Sequence, residues 1–250
     1  MSARRQHVSR DSDPVVVRDF ILGDAFLRAH YVGMYRSMLD IAFAAPGSAP
    51  IVEVGGAPGI VREVDCDVIV GDIVKCETVD LVFGGEKLPF ADASVRALLL
   101  KDSFHHLADI EAFLEEARRV LTPGGVVVVQ DPYWGRFASF IYRRFHPEPF
   151  DPAAERWGAP ATDRWHSNQA LLGIVLRRDR ARLAEVFPDI HVTEYGSVVG
   201  LAYVLSGGVY SRTRVPAPVL LALRSAERRS RLLGRAFCIG YLVSLRFSGS

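Results

Sequence analysis

The sequence has few of the residues that mark disulfide-bonded, metal-bound or membrane-spanning proteins. Its three cysteines, Cys66, Cys76 and Cys238, form no C-x-x-C pair. Their odd number is typical of a reducing compartment, and without paired cysteines we predict no metal site. No run approaches the roughly 20 apolar residues that a membrane span needs. The best candidate, Ala236–Phe247, is too short and contains Arg246.

The sequence also lacks an excess of charge of either sign. Thirty lysines and arginines balance twenty-nine aspartates and glutamates, which gives a formal net charge of +1. Without a net field there is no general attraction for nucleic acid or an anionic membrane, so we expect neither as a partner. Residues 1–14 are polar and contain no apolar core like that of a signal peptide. We therefore expect a cytoplasmic protein whose residues 1–13 are disordered.

Apolar residues are abundant and follow two successive patterns. They make up 49% of the chain, which is enough for one sizeable α/β core. Residues 15–43 carry them at helical spacing and are followed by Pro46-Gly47-Ser48, which predicts one or two helices forming a lid over residues 15–46. Beyond this segment, short β-rich runs alternate with helices. The runs show no polar–apolar alternation, which is typical of strands covered on both faces.

The pattern after residue 50 predicts a single domain over residues 1–250. It is α/β, with a doubly wound, mostly parallel seven-stranded sheet and helices on both faces. Residues 133–170, rich in aromatics and prolines, are predicted to be a substrate-cap insertion after the fifth strand, and residues 196–208 to be irregular. Helices are predicted at Ile110–Leu121, Arg177–Phe187 and Val219–Leu233. The predicted strands are Ile51–Val54, Val68–Val70, Val79–Phe83, Ala97–Leu100, Val126–Val129, Ile190–Tyr195 and Ile239–Phe247.

The strongest local signal directly follows the first predicted strand. Residues 52–59 read Val-Glu-Val-Gly-Gly-Ala-Pro-Gly. Glycines let the backbone turn sharply and approach a ligand, and ligands of open α/β sheets bind beyond the carboxyl ends of the strands. Glu53 can balance a cationic ligand from beneath this loop, and Asp72, at the end of the second strand, can accept both hydroxyls of a ribose. The pattern favours a nucleotide-type ligand over an ordinary turn.

Four segments together resemble the class I S-adenosylmethionine (SAM)-dependent methyltransferases. They are VEVGGAPG (52–59), GGEKLPFADASVRALLLKDSFHHL (84–107), ARRVLTPGG (117–125) and VVVVQDP (126–132). The sequence is particularly similar to bacterial members that combine a short first helix with LPF-D-S and HHL motifs. The resemblance implies S-adenosyl-L-methionine as the cofactor and a small molecule as the methyl acceptor. It specifies fold and cofactor, and it leaves the acceptor open.

The resemblance also implies which residues surround SAM. Gly84-Gly85 stand where the family usually has an acid for the adenine amino group, and Ala57 replaces a common glycine. These departures keep a second hypothesis open, a methyltransferase-fold protein that has lost methyl transfer and serves as a SAM-binding or partner-binding scaffold. The implied cofactor residues are Glu53, Gly55, Gly56, Ala57 and Gly59 at methionine and ribose, Asp72 at the ribose hydroxyls, Gly85, Glu86, Lys87 and Leu88 beside adenine, and Lys101 beneath the sulfonium.

Three polar residues after the fourth predicted strand are the candidate catalytic groups: Asp102, His105 and His106. A histidine at this position can take the proton from a hydroxyl nucleophile. The alternative is that both histidines support the start of the following helix. Asp102 can orient the acceptor or the amino group of SAM. Asp131, at the end of the fifth strand, faces the same crevice or is a turn acid.

The acceptor is predicted from weaker patterns. The aromatics of residues 133–145 form either a packed cap or an apolar acceptor pocket, and Trp165-His166-Ser167-Asn168 can contact substrate. From these we predict O-methylation, ahead of N-methylation, of a secondary metabolite or sugar derivative. A nicotinamide dehydrogenase normally shows G-x-G-x-x-G, whereas this loop reads G-G-A-P-G behind an acid. The arginines of residues 219–233 are expected to form a solvated helix face.

Overall fold

The sheet has the predicted architecture. The computed structural model describes residue 8 and residues 12–159, 167–210 and 215–248. Its seven strands are ordered β3-β2-β1-β4-β5-β7-β6, and β7 runs antiparallel to both neighbours while the other pairs are parallel. The strands are β1 (Ile51–Val54), β2 (Ile69–Asp72), β3 (Leu81–Val82), β4 (Val95–Lys101), β5 (Leu121–Pro132), β6 (Ile190–Val199) and β7 (Gly240–Phe247).

Helices cover both faces of this sheet. The described residues include α1 (Pro14–Gly23), α2 (Ala25–Phe43), α3 (Ile110–Val120), α4 (Arg136–Phe145), α5 (Leu171–Gly173), α6 (Arg180–Val186), α7 (Leu201–Ser206), α8 (Ala217–Arg229) and α9 (Arg231–Ala236). Short 3₁₀ turns lie at Ile60–Glu63 and Phe104–His106, and a π-helical segment at Ile174–Arg178. Across the described ranges, none of these helices combines the length and apolar character required to cross a membrane. The expectation of disorder for residues 1–13 lies largely outside the described residues.

Two aspartate caps divide the N-terminal helical segment. The carboxylate of Asp13 accepts a hydrogen bond from the Val15 N–H, and Pro14 occupies the first turn of α1. Asp24 is extended and accepts from the N–H groups of Phe26 and Leu27, so it ends α1 and starts α2. Short polar side chains stabilise helix starts in this way because the first N–H groups have no partner within the helix. The predicted lid segment thus consists of two helices.

Successive strand residues pack against opposite layers of helices. In β4, Ala97 and Leu99 belong to the hydrophobic core beneath α1, α2, α4, α7 and α8, whereas Leu98 and Leu100 belong to the core beneath α3, α5 and α6. Val126 and Val127 of β5 divide in the same way. Because both faces are buried, both sets of positions must be apolar. This explains why the segments that form β4 and β5 contain no polar–apolar alternation.

Local predictions were wrong in three places. The predicted helix Val219–Leu233 is broken at Ser230, whose hydroxyl caps α9 by accepting from the Leu233 N–H. Residues 196–208 are not irregular, because β6 continues to Val199 through register shifts against β7 and α7 follows it. The predicted helix Arg177–Phe187 begins as a π-helical segment and becomes α-helical at Arg180. Pairing with a distant strand and local capping decide these boundaries.

Candidate active site

Two cavities meet beyond the carboxyl ends of the central strands. The first, which we call the glycine-loop cavity, has a volume of about 310 Å³. The second, the apolar cavity, has a volume of about 550 Å³. Both are lined by Asp102, His106, Glu148 and Tyr210, which therefore form the junction between them. The chain order reverses at β1, which lies between β2 and β4, and this is where open α/β sheets bind ligands.

The glycine loop forms one wall of the first cavity. Of the predicted cofactor residues, Gly55, Ala57, Asp72, Gly85 and Glu86 line it. Gly55 has a φ of 79° and donates its N–H to the carbonyl of Gly71 at 2.9 Å. A Cβ added at Gly55 would lie 2.5 Å from the Cβ of Ser103. Both the left-handed backbone and the close approach to β4 therefore require glycine here.

The carboxylate of Asp72 is fixed at the edge of this cavity by backbone donors. Its Oδ2 accepts from the Ala57 N–H at 3.0 Å, and its Oδ1 accepts from the Val74 N–H at 2.9 Å. Each carboxylate oxygen can accept more than one hydrogen bond. The Asp72 carboxylate is thus oriented to accept hydrogen bonds from neighbouring hydroxyl groups of a ligand.

Glu53 lies beneath the loop and is only 1% exposed. Its Oε1 accepts a hydrogen bond from the Tyr35 hydroxyl at 2.5 Å. Its Oε2 lies under Gly56, close to where a Cβ on that residue would be, and has no hydrogen-bond partner among the described residues. Burial raises the pKa of Glu53 to about 7. The loop therefore rests on a buried carboxyl group with one oxygen available.

Several predicted cofactor residues do not line the cavity. Gly56 and Gly59 shape the loop, while Lys87 lies outside the lining. Leu88 is buried and donates its N–H to Glu116 of α3 at 2.8 Å. Lys101 does not line this cavity, and its ammonium is paired with Asp102 and lies 4.2 Å from the ring centre of Tyr31.

Glu86 lines the cavity but is engaged with the protein backbone. Its Oε1 accepts from the N–H of Ala108 at 2.7 Å and from that of Asp109 at 3.3 Å, so it supports the turn that leads into α3. A Cβ added to Gly85 would lie 2.6 Å from a methyl carbon of Leu107. The glycine at the position of the usual acid is thus closely packed against the neighbouring apolar side chain.

His105 is held between two carboxylates and is only 3% exposed. Its Nδ1 lies 2.9 Å from Asp131 Oδ1, and its Nε2 lies 3.2 Å from Glu148 Oε2. Burial by itself would lower the pKa of His105, but the charge and hydrogen bond of Asp131, together with Glu148, outweigh it and raise the pKa to about 10. The histidine in turn holds the pKa of Glu148 below its usual range, although burial opposes this shift. His105 is therefore fixed in place.

His106 and Asp102 are the predicted catalytic residues that reach the junction with accessible side chains. The His106 side chain is 30% exposed, and its Nε2 lies 3.9 Å from Glu148 Oε2. The Asp102 side chain is 45% exposed. Asp102 has a φ of 50°, which is uncommon for a residue with a side chain, and donates its N–H to Gln130 at 2.8 Å. Such conformations concentrate at functional sites.

Glu148 is the site residue that the sequence reasoning missed. It lies in the insertion, 43 residues from His105, and its Oε2 also accepts from Ser167 Oγ at 3.1 Å and from the amide of Gln169. A single acid between two prolines, Pro147 and Pro149, was the only available signal. Its role depends on the folding of the insertion over the sheet.

The apolar cavity is lined by residues from the segments predicted as a lid and as a substrate cap. Helix α2 contributes Met34, and helix α4 contributes Ile141, Tyr142 and Phe145. Among the described residues, no lysine or arginine lines this cavity. Other aromatics of the insertion pack elsewhere, such as Tyr133, which stacks on Tyr241 with ring centres 5.0 Å apart.

Of the four residues Trp165-His166-Ser167-Asn168 that were predicted to contact substrate, Ser167 is the described residue whose side chain contacts a residue of the site. Trp165 and His166 lie outside the described residues. Ser167 binds Glu148, whereas Asn168 accepts from the N–H groups of Asp151 and Ala170 and stabilises a loop.

Comparisons with known proteins agree with this geometry. A family model described as a methyltransferase domain matches residues 63–129. Uncharacterized protein YafE of Escherichia coli is 44% identical over 46 residues, which cover 18% of this chain and 22% of that protein. The chain thus matches about a fifth of the length of this curated relative.

The similar solved structures have little sequence identity. A geranyl diphosphate C-methyltransferase from Streptomyces coelicolor, solved with Mg²⁺, geranyl diphosphate and S-adenosyl-L-homocysteine, is 13% identical with a TM-score of 0.50, over 98% of this chain and 88% of that one. The YcgJ protein of Bacillus subtilis is 16% identical with a TM-score of 0.47, over 87% of this chain and 97% of that one. The sheet order and the likeness to the Streptomyces enzyme show that the chain has the fold of the SAM-dependent methyltransferases, and its residues 63–129 match the methyltransferase-domain model.

Proposed function

We propose that this protein transfers the methyl group of SAM to a hydroxyl oxygen of a small, mainly apolar molecule. The observation that carries the proposal is the junction of two cavities at Asp102, His106, Glu148 and Tyr210. Methyl transfer from a sulfonium is an in-line displacement, so donor and acceptor have to be aligned at one point. Good alignment contributes roughly 7–11 kcal/mol toward lowering such a barrier. Two cavities that open onto the same four residues suit this task.

The glycine-loop cavity fits the polar groups of SAM. Asp72 presents a fixed carboxylate to the ribose hydroxyls, and Gly55 allows the backbone to approach the methionine portion. Glu53, with one buried oxygen lacking a partner among the described residues, supplies negative potential beneath a ligand that carries positive charge. When bound, SAM supplies an electrophilic methyl group. The residues of this chain orient it toward the junction and shield that point from water.

The apolar cavity favours a neutral acceptor with a hydrocarbon or aromatic body. Its volume of about 550 Å³ falls within the range of about 300–1,000 Å³ that is usual for small-molecule sites. Met34, Ile141 and Phe145 offer surface for apolar contact, and the described lining contains no lysine or arginine to bind a phosphate or carboxylate. A secondary metabolite of this character fits better than a sugar derivative, because a sugar needs many hydrogen-bond partners.

A SAM-binding protein without methyl transfer is the second candidate. The observation that favours it is the state of the adenine side, where Gly85 replaces the usual acid and Glu86 is engaged with the backbone of Ala108 and Asp109. In this case SAM binds but no acceptor is methylated.

Calorimetry and a turnover assay separate the two candidates. We expect SAM and S-adenosyl-L-homocysteine to bind with micromolar dissociation constants. With SAM present, mass spectrometry of a panel of phenols, isoprenoid alcohols and sugars should detect a methylated product among the apolar alcohols and phenols. Binding of SAM without product across the panel would favour the scaffold. No heat with either ligand, alongside binding of NAD, would overturn the cofactor assignment.

A further inference from the structure

We propose that His105, His106 and Glu148 bind a divalent transition-metal ion at the junction of the two cavities. One potential ligand atom from each of the three residues lies within 4.8 Å of the others. Glu148 Oε2 is 3.2 Å from His105 Nε2 and 3.9 Å from His106 Nε2. Ligands about 2.0–2.2 Å from a zinc-sized ion in tetrahedral geometry lie roughly 3–3.5 Å from one another. Small side-chain rotations therefore bring all three onto one ion.

The surroundings of His105 match those of a metal-binding histidine. Its Nδ1 is engaged by Asp131 at 2.9 Å, and Asp131 is fully buried. Histidines that bind metals usually donate their second ring N–H to a carboxylate or carbonyl, because this fixes the tautomer and the ring orientation. With Nδ1 held in this way, Nε2 points toward Glu148 and the junction. Asp131 is thus the positioning residue of the proposed site.

The other two ligands are also held in place by the fold. The 3₁₀ turn Phe104–His106 places the His105 and His106 rings side by side, with centres 4.2 Å apart. Ser167 and Gln169 donate hydrogen bonds to the Glu148 carboxylate and so fix it opposite the two histidines. The sequence predicted no metal site because it has no paired cysteines, whereas this donor set is brought together by the insertion.

The donor set selects the kind of ion. Two imidazoles and one carboxylate suit Zn²⁺, Co²⁺ or Fe²⁺ better than Mg²⁺ or Ca²⁺, which prefer oxygen ligands. Three protein ligands leave at least one coordination position open. His106 and Glu148 line both cavities, so the open position faces the place where donor and acceptor meet.

The ion would activate the acceptor, a role that rests on the proposed methyl transfer. Coordination to a metal ion lowers the pKa of a bound hydroxyl group. Held by His105, His106 and Glu148, the ion would stabilise the negative charge of the acceptor oxygen, whose proton would pass to solvent. As this oxygen forms its bond to the methyl carbon, the carbon–sulfur bond breaks and its electron pair remains on sulfur.

Titration of the chelator-treated protein with Zn²⁺ tests the metal site in the absence of SAM. All proteins carry Cys66→Ser, because Asp65, Cys66 and Asp67 form an exposed cluster that can also take an ion. Calorimetry should show one Zn²⁺ per chain, and His106→Ala and Glu148→Gln should each weaken it at least tenfold. The matched control is His191→Ala, an exposed histidine on β6. It should bind Zn²⁺ like the parent. Visible absorption after addition of Co²⁺ should be lost in His106→Ala.

A second variant, at the carboxylate behind His105, and the metal-binding results for His106→Ala complete the test of the metal site. Asp131→Asn should weaken Zn²⁺ binding by about 10–100-fold, the usual effect of losing the carboxylate behind a metal-binding histidine. No saturable binding in the parent, or equal binding in His106→Ala, would overturn the site. If Glu148→Gln does not fold, His106→Ala decides alone, since its side chain is partly exposed. Heat with SAM but none with Zn²⁺ would end the metal proposal and leave methyl transfer in place.

Discussion

The glycine-loop cavity and the apolar cavity share a junction but are built in different ways. The first is lined largely by residues that directly follow β1, β2, β3 and β4, and it presents backbone turns and the fixed carboxylate of Asp72. The second is lined by side chains from α2, α4 and the segment around α7, which are far apart in the chain. The proposed donor site is therefore built from local polar motifs, whereas the proposed acceptor site depends on the shape of a tertiary enclosure.

The sharpest contrast at the junction is between two neighbouring histidines. His105→Ala leaves Asp131 and Glu148 buried without their partner, and loss of one member of a buried ion pair costs about 3–5 kcal/mol of unfolding free energy. His106→Ala removes a partly exposed side chain, so we expect near-normal stability but a loss of turnover on the order of a hundredfold, the scale of one positioned catalytic group. SAM affinity should stay within a few-fold for His106→Ala.

Thermal melts, calorimetry with SAM and turnover on the same two variants check this pair. If turnover of both follows only the folded fraction, neither histidine acts in the reaction. Near-normal turnover in both would leave a reaction that works by alignment alone.

Glu53 makes the unfolding free energy of the protein depend on pH. Its pKa is about 7 in the folded protein and 4.5 for an ordinary glutamate. Between these values the folded state holds a proton that the unfolded state releases, so this group's contribution to stability falls as pH rises, by about 3 kcal/mol in total. In Glu53→Gln this decline should disappear, which makes the variant more stable than the parent at pH 8. Denaturant titrations from pH 4 to 8 measure it, with exposed Glu185→Gln as the control.

Gly55→Val should strongly weaken the binding of SAM without altering the residues that line the apolar cavity. The new side chain would collide with Ser103 and would adopt a disfavoured positive φ. The loop must shift to relieve an overpacking cost of about 1–3 kcal/mol, which corresponds to a loss of SAM affinity of roughly 5- to 150-fold. Gly47→Val is the matched control, because Gly47 also has a positive φ of 87° but a Cβ there would meet no atom within 4 Å. Equal SAM affinities in the two variants would place the donor site elsewhere.

Asp72→Ala tests the polar recognition of the donor. Loss of hydrogen bonds to a charged group should weaken SAM binding by roughly 1.5–3 kcal/mol. Asp80→Ala is a suitable control, since Asp80 also accepts from a backbone N–H, that of Val70 at 2.8 Å, but does not line either cavity. An unchanged dissociation constant in Asp72→Ala would mean that another residue holds the ribose.

The smallest expected effects come from substitutions of single side chains that line only one of the two cavities. Ile141→Ala on the apolar cavity should raise the KM for the acceptor by about fourfold for each side-chain carbon whose contact with the acceptor is lost, since burial of one methylene contributes about 0.8 kcal/mol. Val17→Ala on the glycine-loop cavity should instead raise the Kd for SAM by a similar factor. If either variant changes both constants equally, the two cavities do not have separate ligands.

The sequence located the glycine-loop cavity better than the apolar cavity. The loop at Gly55 and the acid at Asp72 are local signals, because a tight turn and the end of a strand need particular residues at fixed spacing. The histidines were correctly placed beyond the fourth strand, but their different surroundings were not predictable. His105 is buried because Asp131 and Glu148 arrive from β5 and the insertion.

The sequence alone determined the α/β fold class, the number of strands and the glycine loop, since each depends on the periodicity or chemistry of neighbouring residues. Tertiary structure decided the end of β6, the break between α8 and α9, and the direction of Lys101 toward Tyr31. It also brought Glu148 to the junction and closed the apolar cavity between α2 and α4. Apolar side chains fit many partners, so their pattern shows that they are buried but not what they enclose.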